Sequence, residues 1–141
     1  MDDKVKERLI LCAGSNPYVN FLGITFTEIE EGRVVARMPL REEQRQYSGV
    51  IHGGVLAALA DTIAGYAAYT VTPLGSEVLT AELKTSFLRG AWGNELVAIG
   101  TVIKAGRKLH FAECEIYCDD KLICKSSGTF CVIQKTGTTN V

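Results

Sequence analysis

Hydrophobic and polar positions along this chain follow two different periods, which divide it into one long helix and several strands. Between residues 52 and 70 nearly every position is apolar and alanine is the commonest residue, which predicts a helix buried on most of its sides. In residues 33–38 apolar and polar side chains alternate, and residues 112–118 repeat this pattern. Such alternation is typical of strands with one buried and one solvated face.

The predicted elements follow the order strand, strand, long helix and four strands, after a short N-terminal helix over residues 2–13 that ends at Ser15-Asn16-Pro17. The predicted strands are Phe21–Glu30, Arg33–Met38, Glu77–Leu88, Glu95–Ala105, Lys108–Cys118 and Leu122–Ile133. Residues 41–48 form a polar loop, and residues 135–141 a frayed tail. This order indicates the α+β class, with an antiparallel sheet packed against the helix.

The long helix carries more apolar surface than one sheet face covers. Large residues on one side are predicted to face the sheet: Leu56, Leu59, Ile63 and Tyr66. Small residues leave a second smooth surface: Ala57, Ala58, Ala64 and Ala68. Because a helix that is apolar on all sides needs a further cover, we expect a second subunit.

Composition indicates a single globular domain over residues 1–141, with 47% apolar and 22% charged residues. The net charge of −1 gives no overall attraction to nucleic acid or anionic lipid. The charged start of the chain lacks the apolar core of a signal peptide, and the longest apolar run, residues 55–71, is too short and polar for a membrane span. We therefore expect a cytoplasmic protein that binds neither nucleic acid nor membrane.

The five cysteines are odd in number and form no CxxC pair, which argues against a disulfide framework. Four of them fall in predicted strands, where thiols commonly serve as small buried hydrophobic residues. The two histidines, His52 and His110, do not lie at zinc-ligand spacing from any cysteine. We therefore expect no metal and no cofactor.

One carboxylate, Asp61, interrupts the apolar helix. Removing a lone carboxylate from water is costly, so such a residue usually persists for a chemical role. Gly53 and Gly54, which follow His52 at the helix start, offer bare backbone N–H groups at the positive end of the helix, suited to hold an oxyanion. Together these features predict hydrolysis of an activated carbonyl.

The spacing of these groups predicts a site shared by two subunits. Gly53 and Asp61 are eight residues apart, which is about 12 Å along a continuous helix. Water activated by Asp61 must lie within roughly 3 Å of both the carboxylate and the carbonyl carbon. Two antiparallel helices across a twofold axis would bring each Asp61 close to Gly53 of the other subunit.

These residues resemble the hotdog-fold acyl-CoA thioesterases of the phenylacetic-acid-degradation type (PaaI-like). The similarity covers roughly residues 20–133 and depends on four motifs: His52-Gly53-Gly54 with Ala60-Asp61-Thr62, the Thr80–Phe87 strand, the Gly106–Lys108 turn and the Asp119–Leu122 hairpin. The resemblance implies a central helix wrapped by a curved antiparallel sheet. It also implies an acyl-CoA substrate, dimers with paired sites, and homotetramers built from two dimers.

The resemblance also implies roles for individual residues. Asp61 corresponds to the general base or nucleophile, and the Gly53 amide to the donor that polarises the thioester carbonyl. Gln46 falls where the family carries Asn or Gln near the thioester, and Thr80 where a hydroxyl orients the water. His52 either shapes its turn or contacts the substrate.

A basic cluster near a predicted turn, Lys104, Arg107 and Lys108, could hold the phosphates of coenzyme A or be an ordinary solvated hairpin end. Two other functions remain open. One is an acyl-thioester dehydratase or hydratase that pairs His52 with Asp61, and the other is a non-catalytic acyl-CoA-binding module. The acyl group itself, aryl or medium alkyl, is not determined by the sequence.

Overall fold

Three α-helices and six strands form the part of the chain that the computed structural model describes, residues 1–135. The helices are α1 (Asp3–Ser15), α2 (Pro17–Leu22) and α3 (Gly53–Thr70), with a single 3₁₀ turn at Glu42–Gln44. The strands are β1 (Thr25–Glu30), β2 (Arg33–Pro39), β3 (Ser76–Phe87), β4 (Glu95–Ala105), β5 (Leu109–Cys118) and β6 (Lys121–Gln134).

All six strands belong to one antiparallel sheet, in the order β1-β2-β4-β5-β6-β3. Helix α3 packs on the sheet and contacts every strand. Its side chains Leu59, Ala60 and Ile63 are fully buried against the inward residues of the central strands. The predicted α+β class and the central helix on an antiparallel sheet are therefore confirmed.

The predicted start of the first strand is wrong, because Phe21 lies in α2 and β1 begins only at Thr25. The Asn16 side chain accepts hydrogen bonds from the amides of Tyr18 and Val19, and Pro17 occupies the first helical position. An Asn-Pro pair is a good helix start as well as a good helix break. Gly23 then ends α2 in the left-handed conformation, with φ of 76°.

Part of the predicted open surface of α3 is covered within the chain. Ala64 and Ala68 are fully buried, whereas Ala57 and Ala58 are partly exposed. Helix α1 packs on the C-terminal half of α3, a contact that periodicity alone did not predict. The surface of α3 that stays open is a stripe of small residues around Asp61, here called the α3 stripe, made of Gly53, Gly54, Ala57, Ala58, Asp61, Thr62 and Gly65.

Arg8 of α1 closes the C-terminal end of α3. Its guanidinium donates hydrogen bonds to the backbone oxygens of Tyr69, Thr72 and Pro73 at 2.8–2.9 Å. It also stacks over the Tyr69 ring, 4.0 Å from the centroid. Tyr69 lies in the last turn of α3, and Thr72 and Pro73 follow it, so this one cation stabilises the helix end and joins it to the next segment.

Strand β3 lies at one edge of the sheet and runs beside the α3 stripe. It is twelve residues long and is paired on one side only, with β6. Residues Leu79–Glu82 at its middle are exposed. A long exposed edge of this kind is a ready template for pairing with another strand.

The thiols of Cys114, Cys118 and Cys124 are buried and free, as expected for small hydrophobic residues. Lys135, at the start of the predicted frayed tail, donates its amide to the Gly75 carbonyl at 2.9 Å. The rest of that tail, residues 136–141, lies outside the described residues. No helix within residues 1–135 is long and apolar enough to cross a membrane.

A buried histidine on β5 makes stability depend on pH. His110 is 2% exposed, and neither ring nitrogen has a hydrogen-bond partner within residues 1–135. Burial lowers the pKa of this imidazole from its ordinary value of 6.5. In the unfolded chain this imidazole binds a proton near pH 6.5, whereas in the folded chain it does so only at lower pH. The free energy of unfolding therefore falls as the pH drops below 6.5.

Between pH 7.5 and 5.5, the wild-type protein is expected to lose more stability than a His110→Leu variant. Urea unfolding of both proteins at the two pH values measures the difference. Equal losses in the two proteins would contradict this account of His110.

Candidate active site

The Asp61 carboxylate is held in place by a hydroxyl from the edge strand. Its Oδ1 accepts a hydrogen bond from Oγ1 of Thr80 at 2.7 Å, which ties α3 to β3. Asp61 is half-buried and opens on a cavity of about 320 Å³. Gly65, one turn further along α3, and Phe130 of β6 line the same cavity. A half-buried carboxylate fixed by one hydroxyl keeps lone pairs free for a proton.

The start of α3 presents one free backbone donor. His52 is the N-cap residue, and its Nδ1 accepts the Gly54 amide at 2.8 Å. The Gly53 amide, at the first helical position, has no acceptor within residues 1–135. Of the two glycine amides proposed for the oxyanion, Gly54 is thus engaged in the cap, whereas Gly53 is free at the positive end of the helix.

A second cavity, of about 440 Å³, contains the Gly53 amide and is here called the Gly53 cavity. Gln46 and Val50, from the turn before α3, line it together with Phe87 and Arg89, from the end of β3 and the loop that follows. Asp61 is not among its lining residues, since α3 runs unbroken between the two positions, which are about 12 Å apart along its axis. Within one chain, the carboxylate and the free amide therefore open on different cavities.

Gln46 lies in a tight turn before α3. Its amide donates to the Val50 carbonyl, and its carbonyl accepts from the Gly49 amide, both at 2.8 Å. Gly49 has φ of +93°, a conformation that favours glycine. The turn exposes the Gln46 side chain, and Gln46 lines the same cavity as Gly53.

The predicted basic cluster lies elsewhere. Lys104 is the penultimate residue of β4, and Arg107 and Lys108 follow in the turn to β5, all three exposed. None of them lines the cavities that contain Asp61 or Gly53. Arg89 does line the Gly53 cavity, and sequence reasoning overlooked it because a single arginine in a glycine-rich loop carries no recognisable motif.

The described residues contain no group of three or more His, Cys, Asp or Glu side chains arranged to hold a metal ion. The polar groups that converge near α3 are one carboxylate, hydroxyls, one amide side chain and a free backbone N–H. Such a set suits proton transfer and stabilisation of a developing oxyanion.

These features define a thioesterase of the hotdog fold. The chain belongs to the thioesterase superfamily, whose profile matches residues 48–125, a range that includes Gly53, Asp61 and Thr80. The family resemblance, the fold and the prediction of a thioester-hydrolysing enzyme are therefore confirmed.

Individual relatives agree with this class. The chain is 32% identical to the proofreading thioesterase EntH of Klebsiella pneumoniae over 82% of this chain and 87% of the relative. A thioesterase family protein from Silicibacter pomeroyi has a TM-score of 0.89 at 27% identity, covering 93% and 99% of the two chains. The Escherichia coli PaaI protein, at 24% identity, shares the fold with a TM-score of 0.86, covering 95% and 96%.

Proposed function

We propose that this protein hydrolyses acyl-CoA thioesters at sites that two subunits share. The observation that carries the proposal is the separation of the two groups that the reaction needs. Asp61, held by Thr80, and the free Gly53 amide open on different cavities of the same chain. One thioester reaches both groups only if the second is supplied by another copy of the chain.

The surface beside Asp61 fits such a copy. The free edge strand β3 lies beside the α3 stripe, to which the hydrogen bond from Thr80 to Asp61 joins it. Pairing β3 with β3 of a second subunit across a twofold axis would satisfy the edge and place the two α3 helices antiparallel. Each Asp61 would then face Gly53 of the partner subunit. We further propose that two such dimers form a homotetramer.

In this site, Asp61 either removes a proton from water or attacks the thioester carbonyl directly. Net hydrolysis forms a carbon–oxygen bond and breaks the carbon–sulfur bond, and the proton from water ends on the coenzyme A sulfur. The Gly53 amide stabilises the oxyanion that develops on the carbonyl oxygen. Thr80 orients the carboxylate and the water, and the Gln46 amide orients the thioester.

The remaining site residues have supporting roles in the proposal. His52 and Gly54 cap α3 and so aim the Gly53 amide. Lys104, Arg107 and Lys108 hold coenzyme A phosphates, and Arg89 is a further cation next to the Gly53 cavity. The chemistry needs no metal or cofactor, since a thioester is already activated. The free thiols fit the cytoplasm, where cysteines stay reduced.

The N-cap contact of His52 at the start of α3 favours hydrolysis of the thioester over hydration of the acyl chain. Because Nδ1 of His52 accepts the Gly54 amide, the proton of the neutral ring is on Nε2. Neutral His52 therefore has no free lone pair with which to act as a base. This contact argues against His52 as the base that a hydratase mechanism would pair with Asp61.

A panel of short, medium and long acyl-CoAs, with phenylacetyl-CoA and hydroxybenzoyl-CoA, tests the function. We expect release of free thiol from at least one member, detected with a thiol reagent. We expect no hydration of crotonyl-CoA, a reaction that would be monitored as loss of the enoyl absorbance. Hydration without thiol release would assign the protein to the hydratases. Tight binding without either reaction would make it a binding module.

A further inference from the structure

Arg45 is an almost buried arginine in the turn region before α3, and the proposed mechanism leaves it unused. Its side chain is 14% exposed, although it carries a full charge. The nearest carboxylate, Glu42, is 3.9 Å away and 91% exposed, so this ion pair contributes little. A burial of this degree requires other partners for the guanidinium.

Those partners are three backbone oxygens from two separate segments. Nη1 donates to the carbonyls of Gly49, at 3.1 Å, and Trp92, at 3.3 Å. Nη2 donates to the carbonyl of Gly93 at 2.9 Å. Gly49 belongs to the turn that contains Gln46. Trp92 and Gly93 belong to the loop between β3 and β4 and follow Arg45 by 47 and 48 residues.

Both segments contribute lining residues to the Gly53 cavity, namely residues 46, 50 and 51 from the first and residues 88–91 from the second. They approach each other closely: the Ile51 amide donates to the Ala91 carbonyl at 2.9 Å. A Cβ atom at Gly90 would lie 3.1 Å from Cγ2 of Val50, which leaves little room for any larger residue there. Arg45 joins the two segments through Gly49, Trp92 and Gly93, next in the chain to residues that line the cavity.

We propose that Arg45 is a positioning residue, which fixes the Gln46 side chain relative to the Gly53 amide by binding both of the segments that contribute to the Gly53 cavity. Two hydrogen bonds through Gly49 connect Arg45 to Gln46. The Gly49 carbonyl accepts from Arg45, and the Gly49 amide donates to the Gln46 carbonyl. This inference rests on the proposed thioesterase function. In this proposal Arg45 affects the alignment of the thioester without contacting it.

An arginine is suited to this role and a lysine is not. The guanidinium presents five N–H donors in a rigid plane, so it can reach three carbonyls from two segments at once. A lysine ammonium is a point donor on a flexible stem and would hold the two segments less firmly. Loss of the contact should therefore widen the distribution of Gln46 positions and lower the fraction of bound substrate in a reactive geometry.

The experiment compares kcat and KM of the wild-type protein with those of Arg45→Met, Arg45→Lys, Gln46→Ala and the double variant Arg45→Met/Gln46→Ala. Arg33→Met, at an exposed arginine on β2 paired with Glu28, is the matched control. We expect Arg45→Met to lower kcat about 100-fold with a much smaller change in KM. Arg45→Lys should recover part of the loss, and Arg33→Met should behave as wild type.

The double variant decides whether Arg45 acts through Gln46. If it does, Arg45→Met/Gln46→Ala loses no more kcat than the larger single loss, because residues that act as a unit are not additive. Losses that multiply, or a folded Arg45→Met variant with wild-type kcat, would overturn the proposal. Should Arg45→Met fail to fold, the same cycle with Arg45→Lys gives the answer.

Failure of the underlying function has a different signature. It would appear as a wild-type protein that releases no thiol, or as full activity in an Asp61→Asn variant. An active wild-type protein, an inactive Asp61→Asn variant and an unaffected Arg45→Met variant would leave the thioesterase assignment in place and reject the role of Arg45 alone.

Discussion

Replacing Asp61 with asparagine is expected to lower kcat for thioester hydrolysis by about 10³- to 10⁴-fold. The amide cannot take a proton from water and is a poor nucleophile, so both mechanisms left open for Asp61 fail in this variant. Its oxygen can still accept the hydrogen bond of Thr80, so α3 and β3 should stay joined. The measurement is steady-state release of free thiol, together with circular dichroism and size-exclusion chromatography.

The matched control is Asp120→Asn, in the hairpin between β5 and β6. Asp120 is exposed and has φ of 62°, a conformation that asparagine tolerates well. This variant should fold, assemble and turn over substrate as the wild type does. An Asp61→Asn protein that kept a tenth or more of the wild-type kcat would remove Asp61 from the mechanism.

Removing the free amide at the start of α3 is the second change with a large expected effect. Gly53→Pro deletes that N–H, and proline fits the first helical position. The preceding His52 has ψ of 134°, the extended conformation that a following proline requires. We expect kcat to fall about 100- to 1000-fold, the usual cost of losing one oxyanion donor. Gly53→Ala retains the amide and meets the same Phe87 ring, so it controls for added bulk.

Mixed dimers of the two inactive variants then test whether the site is shared. Suppose that each site takes Asp61 from one subunit and Gly53 from the other. Co-expression of differently tagged Asp61→Asn and Gly53→Pro chains then gives mixed dimers with one doubly altered site and one intact site. Purified through both tags, the mixture should recover about a quarter to a half of the wild-type kcat per subunit. Mixed dimers as inactive as their parents would place both groups in one chain.

Elements with a long, regular pattern were predictable from the sequence. The helix over residues 52–70 and the four strands after it have bounds within one or two residues of the observed ones. Short elements were not predictable in this way, since six residues cannot display a helical period. The end of helix α2, from Phe21, was therefore assigned to a strand, and Asn16-Pro17 was interpreted as a helix break although it also carries the signal for a helix start.

For the site, the sequence indicated Asp61, Gly53 and Gln46, because each stands out from its surroundings as a lone carboxylate, a bare helix start or a motif position. The structure places Asp61 beside Thr80 and Gly53 beside Gln46, and the roles of these residues remain predictions. Arg45 could not be recognised from the sequence. Two of its three partners are backbone carbonyls 47 and 48 residues away, and because every residue has such a carbonyl, the sequence does not show which ones bind Arg45.

Arg8 makes the first fifteen residues part of the folded core. Its three carbonyl contacts and the Tyr69 ring beneath it all lie at the end of α3 that leads to β3. Anyone who trims the chain to a minimal fragment beginning near residue 16 would uncover that ring and leave the helix end to solvent. Affinity tags added before Met1 are a safer engineering choice than truncation, since Met1 is exposed.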